Sequence, residues 1–317
     1  MMSKIQSRQL YFHRHIIPKF WEQYTIEMAP LILQQVVSSG RHHLPTKSNR
    51  NILIIETRAV DSLAFTIYNS LLLTDAEVGL ELCVSDNILS IVQDIIKPLT
   101  GVRLIRIQPF SSVTEYNRLL TSRSFWQALR ATQVLLIQTD SMLLHTYPWH
   151  QFQRWNYIGS PWKDTGWVQL GWPNQLSINR TLNPIQNLGT NRVGNGGFSF
   201  RHVAEMLRVI DRHPYPEYGR VGQVVLPEDV YFSRYASQVA DYDTAVSFGT
   251  ESVYNPKAYG MHKLWEYQSL AHVGEVLQRH YLHVCEKQPK QTETDNNTCP
   301  TQANQLPSGS VLQFGTS

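Results

Sequence analysis

Apolar residues at Ile17, Phe20, Trp21 and Tyr24 recur at helical spacing, and Met28, Leu31, Ile32 and Val36 carry the stripe past Pro30. The stretch 9–38 therefore predicts helices with one apolar face, which either packs on the main domain or meets a second copy of the chain. Polar, basic residues over 38–50 read as a linker. The pattern then changes to short apolar runs alternating with amphipathic stretches. Strands are predicted over 51–57 (NILIIET), 80–84, 102–107 and 134–137 (VLLI), and helices over 62–73, 88–96 and 115–129. Such β-α repetition predicts an α/β fold with a mostly parallel sheet, its ligand at the carboxyl ends of the strands. Glu56, Arg58, Asp86 and Asp140 fall on that rim.

After His145 the texture becomes aromatic and glycine-rich: YIGSPW (157–162), GWVQLGW (166–172) and VGNGGFSFR (193–201). Helices are expected over 202–213 and 227–239, a strand over 245–248 (AVSF), and a last helix ending near His283. From 286 onward the chain is polar and proline-containing and is expected to be disordered. The implied organisation is a helical extension over 1–48, one domain over 49–285 and a tail over 286–317.

Composition narrows the function classes. In 317 residues, 42% are hydrophobic and 17% charged, with a formal net charge of +3 and no basic block suited to a phosphate backbone. Nucleic acid is disfavoured as a ligand. The three cysteines, Cys83, Cys285 and Cys299, have spacings of neither a disulfide framework nor a zinc module, which suggests a reducing compartment. No run approaches the roughly 20 apolar residues of a membrane helix. A cytoplasmic protein without a membrane span is the expectation.

Four places carry candidate chemistry. Gln138-Thr139-Asp140 closes an apolar strand, where a carboxylate can hold a divalent cation, although such an aspartate is also an ordinary turn residue. Asn195-Gly196-Gly197 would let the backbone approach a ligand closely, and is also common turn chemistry. Pro227-Glu228-Asp229 opens a helix, either as a plain helix start or with one carboxylate facing a cleft as a general base. His262 is either a packed histidine or a metal ligand. Two further sets compete weakly. Asp241-Tyr242-Asp243 is a literal DxD away from the sheet core, and His280, His283 and Cys285 lack an obvious fourth zinc ligand.

The order of these pieces resembles the DxD motif, glycine-rich loop, xED motif and C-terminal histidine of GT-A glycosyltransferases. Closer still is the resemblance to a group of uncharacterised glycosyltransferase-like proteins known as a domain of unknown function. It is carried by Tyr116-Asn117, Phe125-Trp126, IQTDSML (137–143), YIGSPW, VGNGGFSFR, PEDVYFS (227–233) and Gly260 to Trp265, across about 50–268. The fringe-type transferases are similar more distantly. The resemblance implies a GT-A, Rossmann-like, mixed and mostly parallel sheet flanked by helices, in a single domain with an N-terminal helical extension. It implies transfer of a sugar from a nucleoside diphosphate donor, foremost a UDP-sugar, to an unknown hydroxyl acceptor.

On that basis Asp140 and His262 would hold Mn²⁺ or Mg²⁺, with Gln138 standing where the motif usually has its first acid. Gln138, Thr139, Asn195, Gly196 and Gly197 would line the donor, and Glu56, Arg58 and Asp86 its base. Asp229 would be the base of an inverting displacement, Glu228 would orient donor or acceptor, and Trp162, with the tryptophans at 167 and 172, would stack on the acceptor, with buried anchoring the equal alternative for Trp162. The alternative is a non-catalytic glycan- or nucleotide-binding module on a degenerate transferase fold.

Overall fold

The computed structural model describes residues 17–163, 193–216 and 226–287. Strands β1 (Arg50–Glu56), β2 (Gly79–Val84), β3 (Arg103–Arg106) and β4 (Gln133–Ile137) pair in parallel. Next to β4 the chain adds β7 (Val193–His202) and then β6 (Tyr157–Pro161), both pairings antiparallel. The result is a six-stranded mixed sheet in the order β3-β2-β1-β4-β7-β6. A second sheet joins β5 (Ser141–Leu143), β9 (Gly260–His262) and β8 (Gly249–Thr250) in the order β5-β9-β8.

Helices cover both faces, which is why the central strands are apolar on both sides rather than alternating with polar residues. Ile52, Ile54, Leu135 and Ile137 point into one core layer with α1 (Ile17–Ser38), α2 (Ser62–Leu72), α3 (Leu89–Ile96) and, later in the chain, α11 (Leu270–Glu286). Leu53, Ile55, Val134 and Leu136 point into the other, with α4 (Val113–Leu120), α5 (Arg123–Ala128), α7 (Val203–Arg212) and α8 (Glu228–Tyr235). The period-two geometry of a strand sorts successive residues between the layers. The remaining helices are short: α6 (Trp149–Phe152), α9 (Tyr242–Phe248) and α10 (Leu264–Tyr267).

Trp21, Tyr24, Met28, Ile32 and Val36 of the α1 stripe pack inward, whereas Leu31 is exposed. Trp21 meets Phe65 edge-on at 5.6 Å and lies 5.1 Å from Trp265, and the Tyr24 hydroxyl lies 2.6 Å from Nδ1 of the fully buried His280. Asn69 lies 2.7 Å from the other ring nitrogen, so His280 is a core histidine, and burial lowers its pKa to about 3.

Local structure departs from the sequence reading in four places. The expected helix over 115–129 is two helices, broken where Thr121 and Ser122 turn back their hydroxyls onto Asn117 and Leu119 carbonyls. The expected strand over 245–248 is part of α9, which starts because the Asp241 carboxylate accepts the Thr244 amide at 2.7 Å. That cap also accounts for the literal DxD. The expected glycine loop is strand β7 itself. Cys285 is disulfide-bonded, where the cysteine spacing suggested no disulfide framework. Among the described residues, no helix is long and apolar enough to cross a membrane.

Candidate active site

Pairing between the two sheets builds the first half of the site. At the end of β4, the Gln138 amide donates to the Gly197 carbonyl at 2.9 Å, and the Ser141 amide closes a turn onto the Gln138 carbonyl. Asp140 lies in that turn. The chain then enters β5, whose Ser141 is in register with His262 of β9, and the Lys263 amide donates to the Asp140 carbonyl at 3.1 Å. Residues far apart in sequence are thereby fixed side by side: Asp140 Oδ1 is 3.4 Å from His262 Nε2, and its Oδ2 is 3.5 Å from Lys263 Nζ. Lys263 itself has the left-handed φ of 41° that directs β9 into α10.

Glu251 follows β8 and completes the cluster. Its Oε1 is 3.2 Å from His262 Nδ1 and accepts from Asn195 Nδ2 at 2.6 Å. Burial pushes the His262 ring toward neutrality, but Asp140 and Glu251 on its two sides outweigh this and raise its pKa to about 9. Burial likewise opposes ionisation of Asp140, and the charges of His262 and Lys263 hold its carboxyl below the usual range. Burial raises Glu251 despite His262.

Strand β7 carries the second half. Asn195 Oδ1 accepts the Gly197 amide at 2.9 Å, while the Gly196 amide donates to Asp229 Oδ2 at 3.2 Å. Asp229 Oδ1 accepts the Val230 amide at 2.8 Å. Burial, followed by the charge of Glu228, raises the Asp229 carboxyl to about 7. Glu228 forms a bidentate pair with Arg201 at 2.6 and 3.0 Å, and Arg201 is wholly buried. The rings of Tyr157, Phe232 and Trp126 surround that guanidinium at 5.2 to 5.9 Å.

The glycines are there for protein side chains. A Cβ on Gly194 would stand 2.2 Å from the Trp162 ring, one on Gly196 2.4 Å from Glu228 Oε1, and one on Gly197 2.3 Å from His262 Nε2. Gly196 and Gly197 thus seat the acidic helix start and the histidine against one strand. Trp162 is partly buried against Gly194. The tryptophans at 167 and 172 lie outside the described residues.

At the end of β1, Glu56 Oε1 accepts the Thr57 and Arg58 amides, each at 2.9 Å, and the Arg58 guanidinium. Its Oε2 accepts the Thr139 hydroxyl at 2.9 Å, tying the ends of β1 and β4 together. The structure therefore gathers Glu56, Arg58 and Thr139 next to Asp140, whereas Asp86 pairs with Arg106 on the surface, 74% exposed. Gln138 turns its amide to the Tyr116 hydroxyl at 2.9 Å.

Glu251 and Lys263 were not singled out from the sequence. Lys263 adjoins His262 and had that signal, whereas the backbone placing Glu251 is set by β8-β9 pairing, which no local pattern announces. Tyr267, 44% exposed on α10, is a further neighbour. Burial raises its phenol, and the charges of Glu251, Glu266 and Asp229 add to the shift.

A mostly parallel sheet ending in buried carboxylates, with a histidine brought in by a small second sheet, defines an α/β protein with a polar site at the carboxyl ends of its strands. The chain belongs to the family described as "Protein of unknown function (DUF5672)", whose profile matches residues 100–262 and so takes in Asp140, Asp229, Glu251 and His262. No curated protein matches the chain in sequence. Among solved structures it is similar to the glycosyltransferase GlyE of Streptococcus pneumoniae TIGR4, with TM-score 0.42, 11% identity, and coverage of 76% of this chain and 63% of that one. It is similar to S. aureus TarS 1-349, with TM-score 0.36, 14% identity and coverage of 74% and 72%. It is also similar to 4-diphosphocytidyl-2C-methyl-D-erythritol synthase from Anaerococcus prevotii DSM 20548, with TM-score 0.38, 12% identity and coverage of 62% and 87%. The chain spans less than two thirds of the length of GlyE.

Proposed function

We propose that this protein is a glycosyltransferase that moves a sugar from a nucleoside diphosphate donor, foremost a UDP-sugar, to a hydroxyl acceptor. The observation that carries the reading is Asp229, a partly buried carboxylate raised to about 7 and held by the backbone of Gly196, one residue from the glycine on which His262 rests. A base whose pKa lies near neutral pH is ionised often enough to act and basic enough to take a proton.

Asp229 takes the proton of the acceptor hydroxyl as its oxygen bonds to the anomeric carbon and the bond from that carbon to the diphosphate breaks. A single displacement of this kind inverts the anomeric centre. The Gly196 and Val230 amides orient the carboxylate. Glu228 has both oxygens engaged by Arg201, so its part is to raise the Asp229 pKa through its charge rather than to touch a substrate. Glu56, Arg58 and Thr139 are the donor-side residues joined to Asp140, and the partly exposed Arg58 guanidinium suits an anionic or ribosyl group.

Asp140 and His262 fit a divalent cation completed by its substrate. Asp140 Oδ1 and His262 Nε2 are buried without hydrogen-bond partners and 3.4 Å apart, and they are the residues that would hold such a cation. Among the described residues no group of three or more His, Cys, Asp or Glu is arranged to hold a metal, so the rest of its ligands would have to come from substrate and water. When bound, Mn²⁺ or Mg²⁺ offsets the negative charge that grows on the leaving diphosphate. His262 would have to release its Nε2 proton to act as a ligand.

One observation favours the second reading, a glycan- or nucleotide-binding module: the Gln138 amide is committed to Tyr116, leaving Asp140 as the motif's single carboxylate. The test is a panel of nucleotide sugars with Mn²⁺ and common sugar acceptors, read as nucleoside diphosphate release, with calorimetry of free glycans alongside. Release with at least one donor supports the transferase. Glycan binding without nucleotide or metal, and no release, supports the module.

A further inference from the structure

Glu251 is 1% exposed, and a buried carboxylate is costly unless its oxygens are matched by donors. Its Oε1 meets two, Asn195 Nδ2 at 2.6 Å and His262 Nδ1 at 3.2 Å, while its Oε2 is buried without a hydrogen-bond partner. The position is fixed from the backbone as well. Gln268 Nε2 donates to the Glu251 carbonyl at 2.7 Å and to that of Ser252 at 3.0 Å, and the Glu251 amide donates to the Val253 carbonyl. A carboxylate held this firmly determines what its partners can do.

The first partner is the His262 ring. With Nδ1 directed at Glu251, the opposite nitrogen, Nε2, is the one that faces Asp140. The second partner is Asn195, whose Oδ1 in turn accepts the Gly197 amide at 2.9 Å, and Gly197 is the residue on which the His262 ring lies. Glu251 therefore closes a circuit from histidine to strand and back to histidine.

We propose that Glu251 is a positioning residue that keeps a proton on His262 Nδ1 and turns Nε2 toward Asp140, locking the ring to the glycine segment of β7. Outer partners of this kind set the tautomer and orientation of a ligating histidine, and their loss weakens metal affinity roughly 10- to 100-fold. The consequence for donor binding rests on the glycosyltransferase reading; the ring orientation does not.

Two measurements separate the parts. Long-range proton–nitrogen NMR spectra of histidine-labelled full-length protein report the protonation of each ring, with the His262 signals identified by comparison with His262→Gln. Recorded above about pH 9, where the ring is neutral, the spectra are expected to show a proton on Nδ1, and a bare Nδ1 overturns the proposal. Calorimetry with Mn²⁺ and UDP then compares wild type with Glu251→Leu, which has no acceptor, and Glu251→Gln, which keeps one. Leucine should weaken binding by about 10- to 100-fold and glutamine should restore most of it. Equal binding by the leucine variant and wild type overturns the proposal. If wild type binds no Mn²⁺ and UDP, the transferase reading fails while the spectrum still decides the orientation.

Discussion

The His262 ring rests on the α-carbon of Gly197, so closely that a methyl group there would stand 2.3 Å from Nε2 and 2.4 Å from the neighbouring ring carbon. Neither side has room to give, because the ring is held between Asp140 and Glu251 and the Gly197 carbonyl receives both the Gln138 amide and the Ser141 hydroxyl. Gly197→Ala should lower stability by about 1–3 kcal/mol through overpacking. Urea unfolding checks this, and an unchanged midpoint would mean that His262 does not occupy this place.

The raised pKa of Asp229 makes a paired prediction of activity and stability. Its folded value of about 7 exceeds the ordinary 3.8, so the protonated form is favoured by folding. Its contribution is fully present below about pH 3.8 and is lost as pH rises through about 7. Asp229→Asn stays neutral and should therefore melt higher than wild type above about pH 7, with the difference closing in acid. Thermal melts across that range read the effect directly.

His262 has its own window. With a folded value of about 9 against an ordinary 6.5, the charged ring contributes stability that is complete below about pH 6.5 and disappears as pH rises through about 9. Asp140 runs the other way: its depressed carboxyl contributes above the ordinary 3.8 and loses that contribution as pH falls through its lowered value. His262→Gln should flatten melting temperature between about pH 6.5 and 9. A variant that keeps the wild-type slope there would assign the slope to other groups.

Glu228 and Arg201 are expected to behave as one unit. Removing one partner strands the other's charge in a dry, aromatic surrounding, so Glu228→Gln or Arg201→Met should each cost about 3–5 kcal/mol. Glu228→Gln also takes away the charge that raises Asp229, which moves the acid limb of the pH-rate profile below about 7. If Glu228 instead contacted substrate, KM would rise while the acid limb stayed in place.

Much of the sheet was legible because β1, β2 and β4 are short apolar runs buried on both faces, a pattern that amphipathic elements do not share. The glycine segment was misread for a physical reason. Dense glycine signals a turn in sequence, whereas here the missing side chains make space for Trp162, Glu228 and His262, which approach from elsewhere in the chain. The strand expected over 245–248 failed because Asp241 caps a helix there, and a cap outweighs the β preference of one valine. Asp140 and His262 could be paired beforehand only through a family likeness, since their contact depends on β5 and β9 lying in register. Glu251 was invisible for the same reason, one strand further on.

The central claim is that Asp229 takes the acceptor's proton, and the most direct measurement compares Asp229→Asn with wild type for donor affinity and transfer rate in the presence of Mn²⁺. The claim predicts near-equal donor binding with kcat lower by roughly 100- to 10,000-fold, the usual contribution of a general base. Transfer by Asp229→Asn at the wild-type rate would contradict it.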